Sequence, residues 1–380
     1  MRLYLTALKP TDSVTDGFLP AARALGCEVT ILTDRPERHP HAVACDVRDP
    51  RALIDAVEQL GRPDAIFSNS DHLQAETALA AAYFGLPGKD WRACVAAKNK
   101  FLMRRKLAEA GIEHVRSVRL APGEPAPEGM PYPVVLKPRE GVASEDVMLV
   151  ERDLAGAVAE VGKRRPGEAL VVEEYLEGPL RTLETLGDGE EVRVLGGFET
   201  TLGELPYFVE ERLDWAPRHE RHEAHVLDAL RALGVGFGAC HTEYVVTAEG
   251  PRLVEVNYRV IGDHCDFLLG DVLGVPVFEW ILRTHLGERV PAVPGTSAYG
   301  SAVSLVADRP GTIRKAPGHE SVTLGEVRLR HRPLRDVGEV VSLTHTNRDY
   351  LGVVRAIGPD RERVDAAVEG YRASRPWVIE

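Results

Sequence analysis

The chain has 380 residues, of which 44% are hydrophobic, and its formal net charge is −12. This length and apolar content are enough for two or three domains with substantial cores. The acidic balance argues against a nucleic-acid partner, which would be met by basic patches. The five cysteines are odd in number and contain no CxxC pair, which argues against a disulfide framework or a zinc site and favours the cytoplasm. No apolar run approaches the roughly 18 residues of a membrane span, so we expect no membrane partner.

Short apolar segments alternate with helical patterns over the first part of the chain. Each helical pattern begins near a polar residue and ends at glycine, as helices between parallel strands commonly do. We therefore predict an open parallel α/β domain over residues 1–92. The turn after the first segment is KPTDSV and lacks GxGxxG, which argues against a nicotinamide-binding domain. The predicted strands are RLYLTAL (2–8), EVTILTD (28–34), AVACDV (42–47) and DAIFSNS (64–70).

The middle of the chain contains two segments that would suit a nucleotide. A basic helical pattern, CVAAKNKFLMRRKLAEAGIEHV, ends at residue 115 and is followed by a loop rich in proline and glycine. The segment PVVLKPREGVASEDVMLV predicts a β-hairpin with a flexible tip, in which Lys137 ends the first strand. A lysine there can neutralise phosphate oxygens while loop amides fold over them. A solvated helix face and an ordinary hairpin are the alternative interpretations.

The next strand, EALVVEEYLEG (168–178), ends with two adjacent glutamates and an apolar pair. Such a strand end can present a carboxylate and a backbone edge to an adenine ring, with apolar side chains on its faces. A strand that simply leaves the core for a turn explains the same residues.

A second hairpin is predicted from HTEYVV (241–246) and PRLVEVNYRV (251–260), which are joined by the turn sequence TAEG. Alternate residues of a strand share a face, so Glu255, Asn257 and Arg259 would point the same way, with Glu243 opposite them. Carboxylate and amide oxygens suit Mg²⁺, and an arginine suits a carboxylate or a phosphoryl group. A solvated strand face with alternating charges is the alternative.

In this order, the segments resemble the ATP-grasp superfamily of carboxylate-amine ligases, which includes bacterial amino-acid and dipeptide ligases and enzymes of natural-product and siderophore pathways. The resemblance covers roughly residues 1 to 300, and it depends on the order of these segments along the chain and not on any one of them. It implies an α/β fold in which the N-terminal domain (1–92) precedes an ATP-grasp domain (93–299). That domain would carry a mobile lid at about 131–178 and be followed by a C-terminal subdomain (300–380).

The resemblance also implies an ATP site. Lys100 is similar to the first lysine that contacts ATP and Lys137 to the second, and the loop from Glu140 to Val147, which includes Ser144, resembles the flap that closes on the triphosphate. The adenine would meet Glu173, Glu174 and the backbone amide of Leu176. Where the family often has a glutamate for the ribose hydroxyls, this chain has Leu180, so Glu184 is the only candidate substitute there.

The metal and catalytic residues follow from the same resemblance. Glu243, Glu255 and Asn257 match the family's Mg²⁺ ligands, for which two ions are expected and Mn²⁺ is an alternative. Arg259 matches the residue that steadies the acyl phosphate or the tetrahedral intermediate, and Lys137 also serves catalysis. The implied reaction joins a small-molecule carboxylate and an amine, with release of ADP and phosphate. A homodimer is the family expectation.

Two other functions remain open at this stage. One is a member of the same fold that carboxylates its substrate or leaves the phosphate on the acceptor. The other is a nucleotide sensor without turnover, for which the missing ribose glutamate is the main support. Asp263 and His264, which follow Arg259 closely, are either contacts of the amine substrate or a loop cap.

Overall fold

The computed structural model describes residues 1–40 and 42–380. The chain begins with a parallel sheet in the order β3-β2-β1-β4, as the apolar segments predicted. Strands β1 and β4 are buried over most of their length and largely apolar, which is typical of a sheet covered on both faces. The strands are β1 (Arg2–Thr6), β2 (Glu28–Thr33), β3 (Ala42–Ala44) and β4 (Ala65–Ser68).

Helices α1 (Leu19–Ala24), α2 (Pro50–Leu60) and α3 (Gln74–Tyr83) lie in the predicted positions, and a π-helical turn (Ser13–Phe18) precedes α1. In this strand order the connections run in opposite directions from β1, outward to β2 and β3 on one side and to β4 on the other. The carboxyl ends of β1 and β4 therefore frame a crevice of the kind in which open α/β sheets bind ligands.

The basic segment that was predicted as one helix forms two, α4 (Trp91–Lys98) and α5 (Lys100–Glu109). Asn99 interrupts the helix with φ −94° and ψ 98°, and its side chain accepts a hydrogen bond from the amide of Leu102 at 3.1 Å. An asparagine in this conformation is a favourable N-cap. The break makes Lys100 the first residue of α5, where its amide donates to the carbonyl of Arg139 at 3.1 Å.

A separate antiparallel sheet, in the order β5-β8-β6-β7, lies where the lid was predicted, and the name lid is kept for it below. This sheet contains the predicted hairpin. It also includes β5, which precedes residue 131, so the sheet begins earlier in the chain than the predicted lid. The segment between β6 and β7 is the flap, in which Ala143, Ser144 and Asp146 have φ of 57°, 54° and 55°. The lid elements are β5 (Ser117–Leu120), β6 (Val134–Pro138), β7 (Met148–Val150), α6 (Leu154–Arg164) and β8 (Leu170–Glu174).

Most of the remaining chain is built on a large antiparallel sheet in the order β14-β13-β9-β11-β12-β15-β20-β18-β17, with β10 paired to β9. Helices pack beside it. Its first elements are β9 (Leu180–Asp188), β10 (Val192–Gly196), β11 (Phe198–Leu202), β12 (Glu210–Trp215), α7 (Glu220–Leu233), β13 (Phe237–Thr247), β14 (Gly250–Asn257), α8 (Cys265–Leu273) and α9 (Val277–His285).

The last 80 or so residues continue this sheet, because β12 pairs with β15 and β15 with β20. A small sheet of β19, β16 and β21 closes the chain. These elements are β15 (Tyr299–Val306), β16 (Gly311–Lys315), β17 (Glu320–Leu324), β18 (Val327–Pro333), β19 (Val340–Val341), β20 (Tyr350–Gly358), α10 (Arg361–Ser374) and β21 (Val378–Ile379).

One apolar core joins the N-terminal sheet to the large sheet. Phe18 packs on Phe67 with ring centroids 4.6 Å apart and on Phe278 of α9 at 4.9 Å. Leu5 and Leu186 belong to the same buried cluster. This shared core holds the carboxyl edge of the N-terminal sheet at a defined position beside β14. Among the helices described, none is both long and apolar enough to span a membrane.

Candidate active site

The hairpin of β13 and β14 aligns the acidic residues as the sequence predicted. Glu243 lies directly opposite Glu255, and His241 lies opposite Asn257. A short turn at residues 248–249 and the alternation of side chains along each strand determine this register. Two carboxylates therefore meet on one face at the edge of the large sheet.

A slot between the lid and this hairpin contains most of the residues predicted to bind ATP. The lysines that flank it are both buried and both paired. Lys100 Nζ lies 2.6 Å from Glu255 Oε1, and Lys137 Nζ lies 2.7 Å from Glu173 Oε2. Valine, leucine and aromatic side chains supply apolar walls, which suits a purine ring. The predicted residues that line the slot are Lys100, Lys137, Ser144, Glu173, Glu174, Leu176, Glu243 and Glu255.

Glu173 is the centre of a buried ion network. Arg104 of α5 donates to its two oxygens at 3.0 and 2.9 Å, and Lys137 contacts the same carboxylate. Burial alone would raise the pKa of Glu173, but the charges of Arg104 and Lys137 outweigh it and hold the pKa at about 2. Glu174 accepts a hydrogen bond from the amide of Arg116 at 2.8 Å. In this structure the two glutamates predicted to contact adenine therefore bind protein groups, and Leu176, whose backbone amide is the third predicted contact, lines the slot.

Glu210 of β12 is a further carboxylate in the slot, beside Glu243, and the sequence analysis did not identify it. Burial raises its pKa, and the charges of Glu243 and Asp263 add to that effect, so the pKa reaches about 8. Such a shift indicates that carboxylates converge without enough positive charge between them. The strand FVEERLDW offered no signal beyond alternating charges.

The predicted metal residues fit Mg²⁺ in part. No three histidine, cysteine, aspartate or glutamate side chains in residues 1–40 and 42–380 converge closely enough to hold an ion alone. Mg²⁺ in nucleotide sites needs only one or two carboxylates, because water and phosphate oxygens complete its shell. Glu243 and Glu255 supply these two carboxylates, and the crowding of negative charge around Glu210 favours a cation beside them. The third predicted ligand, Asn257, is buried and does not line the slot.

Glu184 lies outside the slot, which Leu180 lines instead. Its carboxylate accepts from Thr182 at 2.8 Å and lies 2.8 Å from Nδ1 of His241. Burial alone would lower the pKa of His241, but Glu184 and Glu243 outweigh it and raise the pKa to about 10. His241 is therefore a buried cation that links Glu184 to the edge of the acidic group.

A second cavity of about 810 Å³ lies at the crevice of the N-terminal sheet. The loops after β1, β2 and β4 line one side, and residues 259–267 line the other. Arg259 faces this cavity rather than the slot, and its Nε and Nη2 lie 3.0 and 2.9 Å from Oδ2 of Asp71. Val142 of the flap lines both cavities, so the two spaces are neighbours.

The domain that carries the slot is identified by comparison with known proteins. A family model described as an ATP-grasp domain matches residues 97–263. The chain carries an ATP-grasp domain. The resemblance indicated by the ordered motifs is thereby confirmed, and the mixed fold, with a parallel N-terminal sheet and a large antiparallel sheet, agrees with it.

Relatives align over most of the chain. An uncharacterized protein of Sinorhizobium fredii is 28% identical, over 100% of this chain and 84% of its own length. A phosphoribosylamine–glycine ligase of Phenylobacterium zucineum is 27% identical, over 93% and 79% respectively.

Solved structures show the same fold. An L-amino acid ligase from Bacillus licheniformis superposes with a TM-score of 0.83 at 20% identity, covering 100% of this chain and 98% of that one. A biotin carboxylase from Campylobacter jejuni gives a TM-score of 0.71 at 16% identity, with 99% and 92% covered. The fold is thus shared by enzymes whose names indicate different products.

Proposed function

We propose that this protein is an ATP-dependent ligase that activates a carboxylate as an acyl phosphate and joins it to an amine, with release of ADP and phosphate. The observation that supports this function best is the meeting of two cavities at Val142. One contains Lys100, Lys137 and the acidic group, and the other contains Arg259. A nucleotide in the first would present its terminal phosphate to a carboxylate in the second.

The main obstacle to this reaction is repulsion between the triphosphate and the carboxylate. Lys100 and Lys137 would hold phosphate oxygens, and Arg259 would hold the carboxylate and then the acyl phosphate in line. Glu243 and Glu255 would hold Mg²⁺, or Mn²⁺ in its place, with Asn257 as the further predicted ligand. When bound, such an ion neutralises phosphate charge.

The second cavity also favours a class of substrate. Four cationic side chains line its N-terminal side. Of the acids there, Asp12 is paired with His264 and Arg332, Asp71 is paired with Arg259, and Asp34 lies 4.0 Å from Arg48. An acid that carries a second anionic group, such as another carboxylate or a phosphate, would match this rim. We propose amino acids or other small acids of this kind as the substrates. These cationic side chains, called the cationic rim below, are Lys9, Arg35, Arg38 and Arg48.

The decisive experiment measures ADP, AMP and phosphate formed from ATP and Mg²⁺ across a grid of acids and amines. ADP and phosphate that appear only when one acid and one amine are both present would support the ligase. ADP formed with bicarbonate and no amine would favour a carboxylase, and ATP binding without any turnover would favour a sensor. AMP as the product would exclude the acyl-phosphate route.

A further inference from the structure

Four aspartates line the second cavity, and three of them are already paired. Asp12 lies 2.8 Å from Nε2 of His264 and 2.7 Å from Arg332, Asp71 holds Arg259, and Asp34 lies 4.0 Å from Arg48. Within residues 1–40 and 42–380, Asp263 takes part in no hydrogen bond or ion pair, and it is exposed to the cavity. It is therefore the carboxylate that a cationic ligand can reach without displacing a protein cation.

The backbone at this position is unusual. Asp263 and His264 have φ of 52° and 65°, so two successive residues other than glycine lie in the left-handed region. Each such residue is strained and persists only where surrounding structure holds it. Helix α8 does so here, because the carbonyl of His264 accepts from the amide of Leu268 at 3.1 Å and the carbonyl of Gly262 accepts from Cys265 at 2.9 Å.

Asp263 lines the same cavity as Arg259 and is near enough to the slot for its charge to act on Glu210. Its charge acts on Arg259 in the second cavity and on Glu210 in the slot, and it alters the pKa of each. An amine that binds Asp263 would therefore be close to the place where Arg259 holds the activated carboxyl group.

We infer that Asp263 binds the ammonium group of the amine substrate and accepts its proton as the new bond forms; this inference rests on the proposed ligase function. The nitrogen lone pair, freed when the proton passes to the Asp263 carboxylate, forms the C–N bond with the acyl carbon. The C–O bond to phosphate then breaks, phosphate leaves with the bonding electron pair, and the second proton of the nitrogen passes to the departing phosphate, which leaves a neutral amide.

Two histidines of the cavity are weaker candidates. His264 has Nε2 held by Asp12, and its Nδ1 is buried without a partner, so neither nitrogen is open to a ligand. Burial and the charge of Lys98 lower the pKa of His72, so its imidazole is a weaker base than an ordinary histidine and, unlike a carboxylate, carries no negative charge to attract an ammonium group. Asp263 reaches the cavity, but the protein around it limits the hydration of its carboxyl and raises its pKa above the ordinary value despite Arg259, which makes it a stronger base.

The test compares two nucleophiles in the Asp263→Asn variant. The twenty common amino acids supply both carboxylates and ammonium groups, and hydroxylamine, which is largely uncharged near neutral pH, traps the acyl phosphate as a hydroxamate. We expect amide formation to fall by about 10²-fold or more, while hydroxamate formation stays within about twofold of wild type. Asparagine tolerates the left-handed region, and Asp263→Gly, which favours it, is the second variant if the first does not fold.

The outcomes separate the inference from the function on which it rests. If the variant keeps both products, or loses both while folded, Asp263 has no specific role toward the amine and the inference is wrong. The same selective loss in His72→Asn with Asp263→Asn unaffected would assign the role to the histidine. If the wild-type protein forms neither product, the ligase function itself fails. Asp55→Asn, an exposed change on α2, controls for loss of one negative charge.

Discussion

Asp71 and Arg259 are 188 positions apart in the chain, yet Nε and Nη2 of the arginine both lie within 3.0 Å of one carboxylate oxygen. Burial alone would raise the pKa of Asp71, but the charge of Arg259 outweighs it and lowers that pKa. Asp71 follows β4 of the N-terminal sheet, whereas Arg259 follows β14. The orientation of the arginine therefore depends on how the N-terminal sheet packs against the ATP-grasp domain.

We predict that Asp71→Asn lowers kcat for acid-dependent ADP release by about 10²-fold, because a misplaced catalytic group costs about that much. The KM for ATP should change little, since Asp71 does not line the slot. Steady-state kinetics with hydroxylamine as the nucleophile measure both quantities. Asp71→Glu, which keeps the charge, should recover part of the activity. If the KM for ATP rises by as large a factor as kcat falls, the variant has lost structure generally and the result says nothing specific about Arg259.

Glu255→Gln should abolish ATP turnover while leaving the protein folded. The substitution removes the charge that pairs with Lys100 at 2.6 Å and one of the carboxylates opposed in the hairpin. Loss of a preorganised electrostatic group costs about 10²- to 10³-fold in kcat, which ADP release will measure. The control is Glu249→Gln in the turn of the same hairpin, where the side chain is 83% exposed. Unchanged turnover in a folded Glu255→Gln protein would refute this site.

The parts of the site that sequence analysis identified are local in the chain. The hairpin of β13 and β14 follows from side-chain alternation and a short turn, and its register places Glu243 opposite Glu255 as expected. The position of Lys137 near the end of β6 likewise follows from a short apolar run that stops at a loop sequence. Such features depend on neighbouring residues, whose spacing is visible in the sequence.

Other site residues depend on contacts between distant segments. Arg104 belongs to a helix that resembles a solvated basic face, but it is buried against Glu173 of the lid. The charges of β12 alternate without indicating which of them faces the slot, so Glu210 was missed. The break at Asn99 did leave a signal, because asparagine is a preferred N-cap, but the continuous basic pattern concealed it.

We predict that Glu173→Gln lowers the free energy of unfolding by about 3–5 kcal/mol, because it leaves the buried ammonium group of Lys137 without its partner and removes one of the two carboxylates, Glu173 and Glu113, that pair with Arg104. The folded-state pKa of about 2 is below the ordinary 4.5. The contribution of Glu173 is therefore present above pH 4.5 and is lost as the pH falls toward 2. Urea unfolding at pH 7 and pH 3 measures both effects.

Glu177→Gln, an exposed change after the same strand, is the control for that experiment and should leave the unfolding free energy nearly unchanged. The difference between wild type and Glu173→Gln should shrink at pH 3. A difference that is the same at both pH values would contradict the role of the Glu173 charge.

Glu210 produces the opposite pH dependence. Burial and the charges of Glu243 and Asp263 raise its folded-state pKa to about 8, above the ordinary 4.5. Its contribution to stability is therefore greatest below pH 4.5 and is lost as the pH rises through 8. We predict that Glu210→Gln, which carries no charge, raises the melting temperature relative to wild type by an amount that grows from pH 5 to pH 9. Calorimetry in the absence of nucleotide and divalent ions measures both melting temperatures. A difference between variant and wild type that is the same from pH 5 to pH 9 would contradict the crowding of negative charge around Glu210.

The cationic rim predicts selectivity between acids. Arg35 and Arg38 lie in the loop after β2, line the second cavity and are exposed. We expect the double variant Arg35→Gln, Arg38→Gln to raise the KM for O-phosphoserine or glutamate by about tenfold for each arginine, the usual effect of a charge-assisted hydrogen bond. The KM for serine or alanine should change less than about twofold, because these acids carry no second anion to meet the rim.

The matched control for the rim is Arg51→Gln, which removes one exposed positive charge from the same domain but does not line the cavity. If it raises the KM for glutamate as much as the double variant does, the effect is long-range attraction and will vanish in high salt. An effect confined to Arg35 and Arg38 that persists in high salt indicates direct contact. Equal use of singly and doubly charged acids by the wild-type protein would exclude a substrate with two anionic groups, since the rim would then contribute nothing to binding.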